Sequence, residues 1–107
     1  MYGFYRISAC VPRLKIADVR FNVEEIQHLA EKASAAGGSV ILFPELAVTG
    51  YSCADLFHNS ALLDQAEKGI AELAETLPGN AVYAIGAPVR FRGRLFNAAV
   101  VIQNGSI

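Results

Sequence analysis

The run Val40-Ile41-Leu42-Phe43-Pro44-Glu45 constrains the fold of this chain more than any other stretch. Four large apolar residues in succession, without the alternation of a half-buried strand, predict a strand buried on both faces. Pro44 ends it, because proline fixes φ and has no N–H to give to a ladder. Glu45 is thereby left at the strand's C-terminal end, where open α/β sheets place their ligands. Thr49-Gly50-Tyr51 turns the chain soon afterwards. The carboxylate is therefore expected on a short, constrained loop.

The segments on either side supply the rest of an α/β layer. Tyr5 to Val11 alternates imperfectly and stops at Pro12, which reads as a first strand. From Phe21 to Ala36, Val23, Ile26, Ala30 and Ala33 recur at spacings of three and four, the stripe of an amphipathic helix. Asp18 or Asn22 is its expected cap, the latter through an Asn22-x-x-Glu25 capping box. Gly37-Gly38 closes the helix, since glycine accepts the left-handed conformation at a C-terminus. Strand, helix and strand make a βαβ unit with parallel strands and a right-handed crossover. A second helix starts at Asn59 or Ser60, with Leu63, Ala66, Ile70, Leu73 and Leu77 on one face, and Pro78-Gly79-Asn80 terminates it. Val82 to Val89 and Leu95 to Gln103 then read as strands joined by a tight hairpin at Phe91-Arg92-Gly93-Arg94. Asn104-Gly105 announces another hairpin, yet only Ser106 and Ile107 follow. The expectation is a single truncated unit, residues 1–107, forming the front part of a larger domain and leaving an open sheet edge.

Composition narrows the function classes. Among 107 residues, 53% are hydrophobic and 18% charged, a balance that implies a large buried fraction. Nine Lys and Arg against ten Asp and Glu give a net charge of -1, so no electrostatic argument favours nucleic acid or an anionic membrane. The longest apolar run, Ala98 to Ile102, is far shorter than the roughly 20 residues of a spanning helix. Met1 to Arg6 lacks the pattern of a secretory leader, and a cytoplasmic protein is expected. Two cysteines, Cys10 and Cys53, make neither a disulfide framework nor, without paired histidines, a zinc site.

Spacing alone leaves the chemistry open. Glu45 suits a general base at a strand end, but pattern by itself favours an ordinary surface glutamate. Cys53 has no activating group beside it, with His58 five residues on and His28 in a helix, and reads as a structural thiol. Cys10 reads as core. Arg90, Arg92 and Arg94 place three guanidinium groups along one side of a hairpin strand, which suits an anion but is better explained as edge protection. Gly86 has no accompanying glycine pattern, so neither nucleotide-binding fingerprint is present.

The segment PELAVTGYSCADLF, Pro44 to Phe57, resembles the first catalytic motif of the nitrilase (carbon–nitrogen hydrolase) superfamily. Ser52 to Phe57 makes it most similar to the glutaminase domains of glutamine-dependent NAD synthetases. Tyr2-Gly3-Phe4 with Arg6, Ala17-Asp18 with Asn22, Ile85-Gly86-Ala87-Pro88 and Phe96-Asn97-Ala98-Ala99 extend the likeness along the chain. The resemblance implies an α/β fold, here the incomplete half of an α–β–β–α sandwich, and an active site of Glu, Lys and Cys. Glu45 matches the glutamate, and Tyr51 is expected to line the same pocket. In such enzymes the carboxylate takes the thiol proton, the thiolate attacks the amide carbonyl, ammonia leaves, and water hydrolyses the thioester. A lysine supports the charge on the tetrahedral oxygen.

The family's lysine and cysteine belong to positions past Asn104-Gly105. Lys15, Lys32 and Lys68 precede the wrong elements, and Cys53 sits within the glutamate motif itself. The implied whole is a glutaminase that feeds ammonia to an ATP-dependent synthetase acting on deamido-NAD. Glutamine is then the substrate, ATP and magnesium belong to the absent synthetase domain, and the protein is a homo-oligomer. This fragment is expected to hold no cofactor and to be inactive alone. A free-standing amidase acting on another small amide, or a non-catalytic oligomerising fragment, are the alternative readings.

Overall fold

The computed structural model describes residues 6–50 and 60–107. In chain order they form β1 (Ile7–Ala9), α1 (Val19–Ala35), β2 (Val40–Leu42), α2 (Ser60–Thr76), β3 (Val82–Phe91) and β4 (Arg94–Ile102). The four strands make one sheet in the order β1-β2-β3-β4, the first three parallel and the last antiparallel to β3. This is the expected βαβ unit followed by a second helix and a hairpin.

Each boundary has a local cause. The carboxylate of Asp18 accepts the N–H of Phe21 at 3.1 Å, so Asp18 is the cap and α1 begins two residues earlier than its apolar stripe predicts. Asn22 is not a cap but a buried residue inside the first turn. At the other end, Gly37 takes φ +91° while the N–H groups of Gly37 and Gly38 donate to Ser34 and Ala33 at 3.0 and 2.9 Å. That pair of bonds satisfies carbonyls the helix would otherwise leave bare. The β3–β4 hairpin turns through Arg92 and Gly93, both at positive φ, which matches the right-handed twist of the flanking strands. Asn104 and Gly105 likewise both adopt positive φ, and Gln103 and Ser106 exchange two backbone hydrogen bonds across them.

β1 is shorter than the alternation from Tyr5 to Val11 suggests, although Cys10 N–H still reaches the Leu42 carbonyl at 2.8 Å. Cys10 itself packs half-buried against the core, and burial pushes its thiol pKa up.

Both helices cover the same face of the sheet. Val23, Ile26 and Ala30 of α1 and Ala66, Ile70 and Leu73 of α2 meet Ile41, Tyr83, Ile85, Val100 and Ile102 in one core. Burial raises the pKa of the Tyr83 phenol, whose O–H donates to the Pro78 carbonyl. The register places Ile7, Val40 and Val82 on the opposite face, with Ala9, Leu42, Ala84 and Val101 beside them. Here the expectation for β2 fails: Leu42 is 39% exposed, not buried. Ile7 and Val101 are 65% and 51% exposed on the same side, because no element among the described residues covers it.

Candidate active site

Glu45 stands where the sequence pattern predicts, just past the end of β2. Phe43 N–H still bonds the Ala84 carbonyl at 2.9 Å, and Pro44 then releases the backbone from the ladder. The loop that follows is fastened from several sides. Leu46 takes a left-handed φ of 54°, which lets Gly50 N–H return to the Leu46 carbonyl at 2.8 Å. Val48 N–H donates to the Gly86 carbonyl at 3.1 Å, and Ala17 N–H donates to the Thr49 carbonyl at 2.8 Å. From α1, Asn22 Nδ2 donates to the carbonyls of Val48 and Lys15 at 3.0 and 2.8 Å, while its Oδ1 accepts Lys15 N–H at 2.7 Å. One buried amide therefore clamps the Glu45 loop to the loop before the helix.

Gly86 determines how close the loop comes to the sheet. A Cβ at this position would lie 2.7 Å from the Glu45 carbonyl carbon and nearer still to Leu46 N and the Pro44 oxygen. Only a residue without a side chain permits that approach.

A cleft of about 400 Å³ opens on the uncovered face, lined by Leu42, Phe43, Glu45, Ala84, Gly86, Asn97, Ala98 and Ala99. The Glu45 side chain is exposed there, and its Oε1 accepts a hydrogen bond from Asn97 Nδ2 on β4. Small residues floor the cleft, so a ligand can approach the carboxylate. Neither lysine nor cysteine is among its described lining residues. A larger cleft, about 580 Å³, lies between the start of α1 and α2, but there Arg20 and Glu72 satisfy each other. The hydrogen bond from Arg20 holds the Glu72 carboxyl below the usual carboxylate range and raises the guanidinium pKa in return.

A sequence match decides the family: the carbon-nitrogen hydrolase domain matches residues 6–107. The chain belongs to that family. Glutamine-dependent NAD(+) synthetase of Mycobacterium bovis is 36% identical over 110 residues, which takes in 99% of this chain and 16% of the relative. The crystal structure of a glutamine-dependent NAD(+) synthetase from Cytophaga hutchinsonii superposes with a TM-score of 0.88 at 28% identity, over 95% of this chain and 17% of that one. An amidase of the nitrilase superfamily from Nesterenkonia shares the fold, with a TM-score of 0.78 at 20% identity over 95% of this chain and 40% of its own. This carbon-nitrogen hydrolase chain thus spans about a sixth of the length of the curated synthetases it matches.

Other sequence candidates of the carbon-nitrogen hydrolase chain fall elsewhere. Tyr51, Cys53 and His58 lie outside the described residues. His28 is exposed on α1, and Lys15 lies 4.3 Å from the centroid of the Phe21 ring. The three arginines form no common row: Arg90 pairs with Asp64 and Glu67 of α2, Arg92 is in the turn over the Phe91 ring, and Arg94 lies opposite Phe91. No described helix is long and apolar enough to cross a membrane. Asn97 and Gly86 were legible only as parts of the family likeness, and the spacing of Asn22 pointed to a helix cap rather than to the clamp it forms. The available signal for Asn97 was a single amide interrupting the apolar run from Leu95 to Ile102.

Proposed function

We propose that this chain is the N-terminal part of a glutamine amide hydrolase domain whose ammonia serves ATP-dependent NAD synthesis from deamido-NAD. The observation that carries the reading is Glu45 itself, held at a strand end on a clamped loop and exposed to a cleft on the open face of the sheet. Similarity to glutamine-dependent NAD(+) synthetases along nearly the whole chain supports the choice of substrate.

Glu45 is the general base. It takes the proton of a thiol supplied by residues outside this chain, and the thiolate attacks the glutamine amide carbon. A lysine from the same absent region supports the oxyanion, ammonia departs with the proton that Glu45 returns, and water cleaves the thioester to glutamate. Tyr51 contributes a wall of the substrate pocket. ATP and magnesium bind to the synthetase part, and the whole protein works as a homo-oligomer in the cytoplasm. The 107-residue chain is inactive alone, since a base without nucleophile or oxyanion donor has nothing to deprotonate.

The test compares ammonia release from glutamine by this chain and by the complete protein encoded with its continuation. Activity only in the complete protein, abolished by Glu45→Gln, is the expected result. Release by the 107-residue chain, lost in Glu45→Ala, would overturn the division of labour. A complete protein that hydrolyses other small amides and not glutamine would favour the free-standing amidase. The uncovered apolar face supports one further reading, a non-catalytic module that pairs with its own copy. A compact dimer in sizing experiments, together with an inactive complete protein, would favour it.

A further inference from the structure

We propose that Asn97 is the positioning residue for Glu45, an inference that rests on Glu45 being the general base. A carboxylate only accepts hydrogen bonds, so the Asn97 amide nitrogen must be the atom that faces it. The bond joins residues 52 apart in sequence, and each partner is anchored to the same hairpin. Glu45 is anchored through the contact of its loop with Gly86 on β3, and Asn97 through its place on β4 opposite the buried Pro88. The backbones that present the two exposed side chains are thus held together through one antiparallel ladder.

The choice of an amide has chemical content. A base must hold its carboxylate plane at a set angle to the incoming proton, and a donor on Oε1 sets that plane while Oε2 remains available. Among the described residues no cation pairs with Glu45. A lysine or arginine in the place of Asn97 would orient the carboxylate equally well but would hold it in its charged form and weaken it as a base. A neutral donor orients without that penalty, and its own protonation state does not change with pH.

The experiment uses the complete enzyme, with Asn97→Leu as the near-isostere lacking the donor and Asn97→Asp as the isostere that cannot donate. Glutamine hydrolysis in Asn97→Leu should show kcat lowered about 10- to 100-fold, the scale expected when a reacting group is misplaced by about an ångström, with KM within about threefold. Asn97→Asp should be at least as impaired, because it sets a second carboxylate against the first. NAD formation from free ammonia should be unchanged in both, which reports an intact synthetase part. A crystal structure of Asn97→Leu should show the Glu45 side chain displaced, and this readout is independent of any activity. Asn97→Asp with near-native kcat, a loss confined to KM, or an unmoved Glu45 would overturn the inference. A wild-type enzyme that releases no ammonia from glutamine would instead refute the function proposed for Glu45, with the structural arm still deciding the contact.

Discussion

The two faces of the sheet follow different rules. On the helix-covered face, Ile41, Tyr83, Ile85 and Ile102 are all but inaccessible and interlock with α1 and α2. On the other face, residues of similar apolar character, Ile7, Leu42 and Val101, remain exposed, and the Glu45 cleft lies among small side chains. One face is complete within this chain and carries its stability. The other is apolar, has no covering element among the described residues, and holds the Glu45 cleft, as expected of a surface shared with residues beyond those described.

The sharpest way to break this contrast is to make one residue on each face less apolar. Ile85→Ala removes a fully enclosed side chain and should cost about 2–5 kcal/mol by thermal or urea unfolding. Val101→Thr on the open face should stay within about 0.5 kcal/mol. Equal losses at both sites would mean that the open face is covered in solution.

Gly86→Ala comes next. It lies on β3 beneath the Glu45 loop, and the added methyl meets backbone atoms that no rotamer change can move. A stability loss of about 1–3 kcal/mol is expected from overpacking, with glutamine hydrolysis by the complete enzyme lost well beyond what that destabilisation explains. Native activity in this variant would show that the close approach is incidental. Asn22→Leu, which strands the Lys15 N–H and the carbonyls of Lys15 and Val48, should cost a similar 1–3 kcal/mol, roughly, and loosen the same loop. Hydrogen exchange at Val48 should report the loosening before global unfolding does.

What was legible in the residues divides along the same line. The helix stripes, Gly37-Gly38, Pro44 and the two positive-φ turns act over a few residues, and the chain folds locally as they dictate. Leu42 departs from the pattern because a strand's burial on both faces depends on a layer that its own sequence does not reveal. Asn22 has the spacing of a capping box but is used for a tertiary clamp, a role set by Val48, 26 residues away. Asn97 meets Glu45 only once both are placed on the hairpin. Pattern therefore located the carboxylate but not the residues that aim it.

The smallest predicted effect lies on neither face of the sheet but between the helices that cover one of them. Arg20 and Glu72 join α1 to α2 through an ion pair exposed to water. Because the hydrogen bond from Arg20 depresses the Glu72 pKa in the folded chain, folding releases a proton in the acid range. The contribution is present above the pKa of an unfolded glutamate and is lost as pH falls through the lower folded value. Solvent screening limits it to at most about 0.5 kcal/mol, and salt should erode it further. Glu72→Gln should accordingly lower the unfolding midpoint slightly at neutral pH, with the difference from wild type vanishing in strong acid. A difference that persisted unchanged at the acid end would assign the effect to packing of the side chain rather than to its charge. It would also leave the helix layer to depend on packing and on the neutral hydrogen bond from Gln27 to Thr76.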